Sequence, residues 1–213
     1  MVTAADLTLL HTSPVHVPVF DALRDRDHPG AVLRHVVVPE LLDRARERGP
    51  ESVVPDLRRL LAEAAGPVLV TCSTLGAVAE SLAPAVGAPV LRVDRPMAAE
   101  AVRTGPRITV LATVASTSGP TAELLAEEAA GRAVSVTVHL VDGAWERFEA
   151  GDTDGYLAAV AAAADAVTGA DVIVLAQASM AAAAGLVRTP VPVLSSPRPG
   201  LAAALLLAEP RPA

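Results

Sequence analysis

The chain contains no lysine: all 17 basic residues among its 213 are arginine. This excludes a Schiff base with pyridoxal phosphate or substrate, and also a Walker-type phosphate lysine, so any carbanion chemistry would have to run without pyridoxal phosphate. A single cysteine, Cys72, leaves no intramolecular disulfide, and with no paired Cys/His spacing there is no metal signature. Aromatic residues are 2% against 52% hydrophobic, which leaves Ala, Val and Leu to build the core. Few aromatics and a formal charge of -7 speak against a nucleic-acid surface, which needs basic patches and stacking platforms. The expected partners are a small molecule and a second copy of the chain. The apolar runs at 158–166 and 200–208 are too short to span a bilayer, and residues 1–6 lack the basic and apolar regions of a secretory leader. A reducing, cytoplasmic setting with no membrane partner is the expectation.

What is present is a rhythm of apolar runs and helical segments. Residues 6–12 read as a strand, 14–26 as a helix turning Phe20 and Leu23 inward, 31–38 as a strand, and 40–48 and 51–65 as Arg/Glu-rich helices. The run Pro67-Val-Leu-Val reads as a buried strand, followed by a helix that starts at Ser73 or Thr74 and reaches Leu82, and then by a strand at 89–93. The second half repeats the order: strand 107–113, helix 119–130, strand 134–141, helix 153–168, strand 172–176, a helix from near Met180, strand 191–195 and a last helix from about 199. Strands separated by helices of this length predict right-handed crossovers in parallel sheets. Residues 88–102 (APVLRVDRPMAAEAV) align without a gap on 191–205 (VPVLSSPRPGLAAAL), sharing Pro-Val-Leu and then Arg-Pro, and Leu10 and Thr12 match Leu111 and Thr113. An internal duplication explains this. The expected fold is α/β: two similar lobes, 1–96 and 97–213, each a four-stranded parallel sheet flanked by helices, with the last helix free to pack back on the first lobe. Ligands of open parallel sheets sit at the carboxyl ends of strands, so a ligand cleft between the lobes is expected.

Cys72 falls at a strand-to-helix turn, where the peptide N–H groups of the next helix carry about half a positive charge and favour a thiolate and a bound carboxylate. The plainer alternative is an inert, small hydrophobe. In the duplication Gln177 stands opposite Cys72.

The duplicated lobes, Val-Thr-Cys-Ser-Thr ending in Thr74, Val-Leu-Ala-Thr ending in Thr113, and Val-Ile-Val-Leu-Ala-Gln-Ala-Ser-Met ending in Met180 together resemble the aspartate/glutamate racemase superfamily, with its hydantoin racemase, maleate isomerase and arylmalonate decarboxylase relatives. The resemblance covers nearly the whole chain. It implies cofactor-independent chemistry at carbon next to a carboxylate of a small acid, and often a homodimer. Typical members carry one cysteine in each lobe, one taking the α-proton and the other delivering a proton to the opposite face. Cys72 matches the first position and Gln177 occupies the second, where an amide exchanges no proton near neutral pH.

Three readings remain open: a racemase-type enzyme in which another group supplies the second proton; a one-thiol decarboxylase or cis-trans isomerase; and a non-catalytic carboxylate-binding protein. For the second proton His11, at the expected end of the first strand, is the candidate by type, because imidazole titrates near pH 6.5; a buried, hydrogen-bonded histidine is the alternative. Ser73 and Thr74 would offer hydroxyls and N–H groups to a carboxylate or simply cap a helix. Thr113, Ser116 and Thr117 match a hydroxyl-rich carboxylate-binding turn of the family or form an ordinary Ser/Thr turn. Gln177 and Ser179 would bind or orient the ligand, or satisfy each other in the core. Arg95 and Arg198, each before a proline at a helix start, stay outside the expected site.

Overall fold

In the computed structural model, which describes residues 6–208, each β-branched or leucine-rich run of the first half becomes a strand and each segment of helical period a helix. The elements are β1 (Asp6–His11), α1 (His16–Asp27), β2 (Val32–Val37), α2 (Pro39–Arg48), a 3-10 turn (Pro50–Val53), α3 (Val54–Ala62), β3 (Val68–Val70), α4 (Ser73–Ser81), α5 (Ala83–Val86) and β4 (Val90–Arg92). All pairings are parallel, in the order β2-β1-β3-β4. The single helix expected over 51–65 is divided because Pro50 and Pro55 each sit at the opening of a helical segment, where a missing N–H costs nothing.

The second unit repeats this order as α6 (Arg95–Thr104), β5 (Arg107–Ala112), α7 (Ala115–Ala129), β6 (Ser135–Leu140), α8 (Ala144–Glu149), α9 (Thr153–Asp165), β7 (Val172–Leu175), a 3-10 helix (Ala178–Gly185) and β8 (Val193–Ser195), with α10 (Pro197–Ala208) following. Its sheet is again all parallel, β6-β5-β7-β8. The structure thus has the two four-stranded parallel sheets, flanked by helices, that the sequence predicts. Three details differ. Helix α7 opens at Ala115 rather than 119, because Val114 is extended and the chain turns into a helix ahead of Pro120. The short α8 was not expected, and the alanine-rich stretch from 178 winds as a 3-10 helix.

Strand alternation divides each core into two layers. In the first unit Leu10, Val68 and Val70 face Leu41, Leu57, Leu61 and Leu75 on one side, while Leu7, Leu9 and Leu69 face Phe20 and the Leu201, Ala204 and Leu205 stripe of α10 on the other. In the second, Ile108, Val110 and Val172 meet Met97, Leu124 and Leu125, and Leu111, Ile173 and Leu175 meet Tyr156, Val160 and Met180. Each fully buried Leu or Val contributes about 1.5–3 kcal/mol, so aliphatic cover holds sheets that have almost no aromatic residues. Gly76 lets α4 lie close on β4: a Cβ there would stand 2.9 Å from the Cβ of Arg92.

The first compact unit comprises the chain up to Val93 together with the residues from Pro197 on, and the second is Asp94–Ser196. The expected lobes were 1–96 and 97–213. α10 joins the first unit because its apolar stripe covers Leu7 and Leu9, and α6 joins the second through Met97, Ala98 and Ala101. Residues 1–5, where a leader was sought, and Glu209 lie outside the described residues. Among the described residues no helix is long and apolar enough to cross a membrane.

Candidate active site

The two turns singled out by the sequence occupy equivalent places. β3 ends at Val70, Thr71 is hydrogen-bonded through its N–H to the Leu10 carbonyl at 3.0 Å, and Cys72 stands in extended conformation before α4. β7 ends at Leu175, the N–H of Ala176 donates to the Leu111 carbonyl at 3.0 Å, and Gln177 stands in extended conformation before the 3-10 helix. Cys72 is half-buried, its side chain packing against the edge of the Leu10 core layer. It makes no side-chain cap bond to α4, and Ser73 and Thr74 are the first two residues of that helix, so neither is its N-cap. Plain capping, the simpler role considered for them, is therefore not theirs.

His11 closes β1 and is fully buried. Its Nδ1 lies 2.8 Å from the Thr71 hydroxyl, its Nε2 lies 2.8 Å from His35 Nδ1, and His35 Nε2 lies 3.3 Å from an Asp21 carboxylate oxygen. Burial, followed by repulsion from His16 and His35, pushes the His11 pKa down to about 3, so the ring is neutral at neutral pH. The Thr71 hydroxyl also donates to the Leu10 carbonyl at 3.2 Å, so the Thr71–His11–His35–Asp21 series ties β1, β2, β3 and α1 together within the first unit. The premise that made His11 a proton donor, titration near pH 6.5, does not hold in this environment, and both of its nitrogens are committed within the first unit. His16, at the start of α1, keeps a buried Nδ1 without a partner among the described residues, and burial lowers its pKa to about 4.

In the second unit Thr113 follows β5. Its N–H donates to Gln177 Oε1 at 2.7 Å and its hydroxyl donates to the same oxygen at 3.0 Å. Ser179 meets the Tyr156 hydroxyl at 2.8 Å. The Tyr156 phenol pKa is raised by burial, with hydrogen bonds to Ser179 and Thr113 pulling the other way. Gln177, Ser179 and Thr113 thus form one cluster with Tyr156. Sequence reading missed Tyr156; its signal is a lone phenol at the head of the alanine-rich α9. Ser116 is exposed and Thr117 buried in the first turn of α7, so these two are helix residues rather than a loop. Arg95 pairs with Glu127 and Glu128 of α7, and Arg198 with Asp27, consistent with structural roles.

Among the described residues no group of three or more His, Cys, Asp or Glu side chains is arranged to hold a metal ion. A cavity of about 490 Å³ opens beside β5, β6 and α9, lined by Arg107, Thr109, Ser135, Thr137 and His139 among others; no candidate site residue lines it.

Duplicated α/β units of this order, with a cysteine after the third strand, define a class of two-unit parallel-sheet proteins. The sequence profile of the Asp/Glu/Hydantoin racemase family matches residues 16–207, and the chain belongs to that family. Among solved structures it is similar in fold to allantoin racemase from Klebsiella pneumoniae (TM-score 0.67, 17% identity, covering 99% of this chain and 95% of that one). It is also similar to Picrophilus torridus aspartate racemase (0.65, 14%, 96% and 94%) and to arylmalonate decarboxylase (0.60, 20%, 98% and 94%). No curated protein matches the chain in sequence.

Proposed function

We propose that the protein is a cofactor-independent enzyme acting at carbon next to the carboxylate of a small acid, with Cys72 as its single reacting thiol. The observation that carries this reading is the presence of Cys72 at the carboxyl end of β3, directly before α4, in a chain of the racemase family. As thiolate, Cys72 takes the α-proton to leave an enediolate and, as thiol, gives a proton back to it, exchanging the α-hydrogen with solvent; in the addition route its sulfur bonds to an unsaturated carbon and leaves again as thiolate when that C–S bond breaks. Hydroxyls and N–H groups of Ser73 and Thr74, next to the thiol, bind the carboxylate and hold the charge that spreads onto it as an enediolate forms; in the second unit the NH2 group of Gln177, whose oxygen Thr113 holds, is a further carboxylate donor. The absence of lysine supports a mechanism without pyridoxal phosphate.

A one-thiol reaction, decarboxylation or cis-trans isomerisation, is the second reading, favoured by Gln177, whose amide has no proton to trade, and by the engagement of both His11 nitrogens. Proton spectra in deuterium oxide test both. Aspartate, glutamate, simple hydantoins, maleate and a disubstituted malonate are each incubated with wild type and Cys72→Ser. Deuterium at the α-carbon supports proton abstraction, loss of carbon dioxide selects the decarboxylase, and conversion of maleate selects the isomerase. Turnover that survives in Cys72→Ser rejects the proposed role of the thiol; inertness of the wild type, with Cys72 alkylated no faster by iodoacetamide than a free thiol, leaves a carboxylate-binding protein.

A further inference from the structure

Gln177 is the only side-chain amide in the protein, for there is no asparagine, and Tyr156 is the only tyrosine. The orientation of that amide follows from its partners. A backbone N–H can only donate, so the Thr113 N–H, 2.7 Å away, requires the carbonyl oxygen of Gln177 at that position and turns the NH2 group the other way. The Thr113 hydroxyl gives its one proton to the same oxygen. With its proton given to Gln177 Oε1, the Thr113 hydroxyl can only accept from its other neighbour, the Tyr156 hydroxyl, which lies 2.8 Å from the Ser179 hydroxyl. Bonds in such a series polarise one another, drawing charge toward Oε1 and making the amide N–H groups better donors. Nε2 has no hydrogen-bond partner among the described residues, and it is not a buried, unsatisfied atom either, so it keeps contact with solvent.

We infer that Tyr156 is a positioning residue which, through Thr113 and Ser179, locks Gln177 with its oxygen inward and its NH2 group outward, and that this amide is a donor site for one carboxylate or enolate-type oxygen of the ligand. The inference rests on the reading of a small carboxylate as substrate and sharpens it: the second turn binds an anionic oxygen and takes no part in proton transfer. The Tyr156 ring packs on Phe148 at a centroid distance of 5.2 Å. Tyr156→Phe therefore removes the hydroxyl while keeping the packing.

The test uses the full chain labelled with 15N, in which Gln177 supplies the one side-chain NH2 pair in the spectrum. Maleate, aspartate, glutamate and malonate are titrated into wild type, Tyr156→Phe, Thr113→Val and Cys72→Ser. The expected result is a downfield shift of one Gln177 NH2 proton with at least one of these acids, an apparent Kd about tenfold weaker in Tyr156→Phe and in Thr113→Val, and an unaltered shift in Cys72→Ser. A static NH2 pair with every acid, or a shift of equal size and affinity in Tyr156→Phe, overturns the inference. Failure of the proposed chemistry has a different signature, since the NH2 pair would still respond while no Cys72-dependent turnover occurred. Circular dichroism of both variants, and a Thr113→Ser rescue that restores the tenfold, separate positioning from loss of fold.

Discussion

The two units have the same strand order and the same backbone hydrogen bonds at their strand ends, and they differ in what those ends carry. In the first, the layer beneath the turn is a polar pair, His11 bonded to Thr71, and the turn residue is a thiol. In the second, the matching strand ends are Ala112 and Ala176, and the polar contacts move up one residue, where Thr113 holds Gln177. A duplicated backbone has thus been given two unlike sets of side chains: a thiol over a buried imidazole chain, and a fixed amide over an apolar floor. The lesson is that backbone symmetry does not require the same functional groups at matching turns, and that the asymmetry sits in a single layer of residues.

The largest expected effect removes the one group with no counterpart. Cys72→Ser is expected to lower turnover of a responsive acid by about 10²–10⁴, the usual contribution of a positioned acid or base, as read by deuterium incorporation. Next comes acid. His11 and His16 are held neutral in the fold, with pKa values lowered from 6.5 to about 3 and about 4, whereas the unfolded chain protonates them near 6.5. The unfolded state therefore binds more protons in this window, and stability is complete above about pH 6.5 and falls as pH drops toward 3, by at most about 1.4 kcal/mol per pH unit for each ring. Denaturant titrations at pH 7, 6 and 5 should show the fall, and His11→Ala should flatten it. No buried histidine serves the second unit's strand ends, so the loss should begin in the first, as hydrogen exchange would reveal.

A third experiment makes the first unit resemble the second. His11→Ala alone takes one partner from the Thr71 hydroxyl, which keeps the Leu10 carbonyl, and one from His35, which keeps Asp21, and should cost about 1–3 kcal/mol. His11→Ala with Thr71→Ala should cost less than the sum of the two single changes, and thermal melts of the four proteins give the coupling. The smallest effect is at α9, which carries Tyr156. Asp152 caps it through the Gly155 N–H at 2.9 Å, so Asp152→Ala should lower stability by about 1 kcal/mol and shift the melting temperature by a few degrees.

The strands were legible because they are short apolar runs bounded by Pro, Gly and Thr, and the Cys72 turn because a β-branched run stops there and an alanine-rich helix begins. Helix boundaries at 115 and 144 were not, since Pro120 disguises one start and the other belongs to a six-residue segment with too little periodicity to read. Tyr156 is 23 residues from Ser179, and Thr113 is 64 from Gln177, so which hydroxyl meets which amide depends on sheet register rather than on any local pattern. His11 illustrates the same point in reverse. Its type was visible, but its two partners, and with them its protonation, are consequences of burial beside β2 and β3.

The helix α10 gives the fold a timetable. Its stripe of Leu201, Ala204 and Leu205 is the cover for Leu7 and Leu9, so β1 waits for a helix made after the whole of the second unit before one face of its sheet is dry. The second unit, whose described segments are contiguous from Asp94 to Ser196, can complete itself in the meantime. Closing a loop of that size costs only slightly more than closing a short one, and less still when the intervening chain is already folded. The thiol-bearing unit therefore becomes whole after the second unit has been made, and Cys72 acquires its finished surroundings only once α10 has emerged.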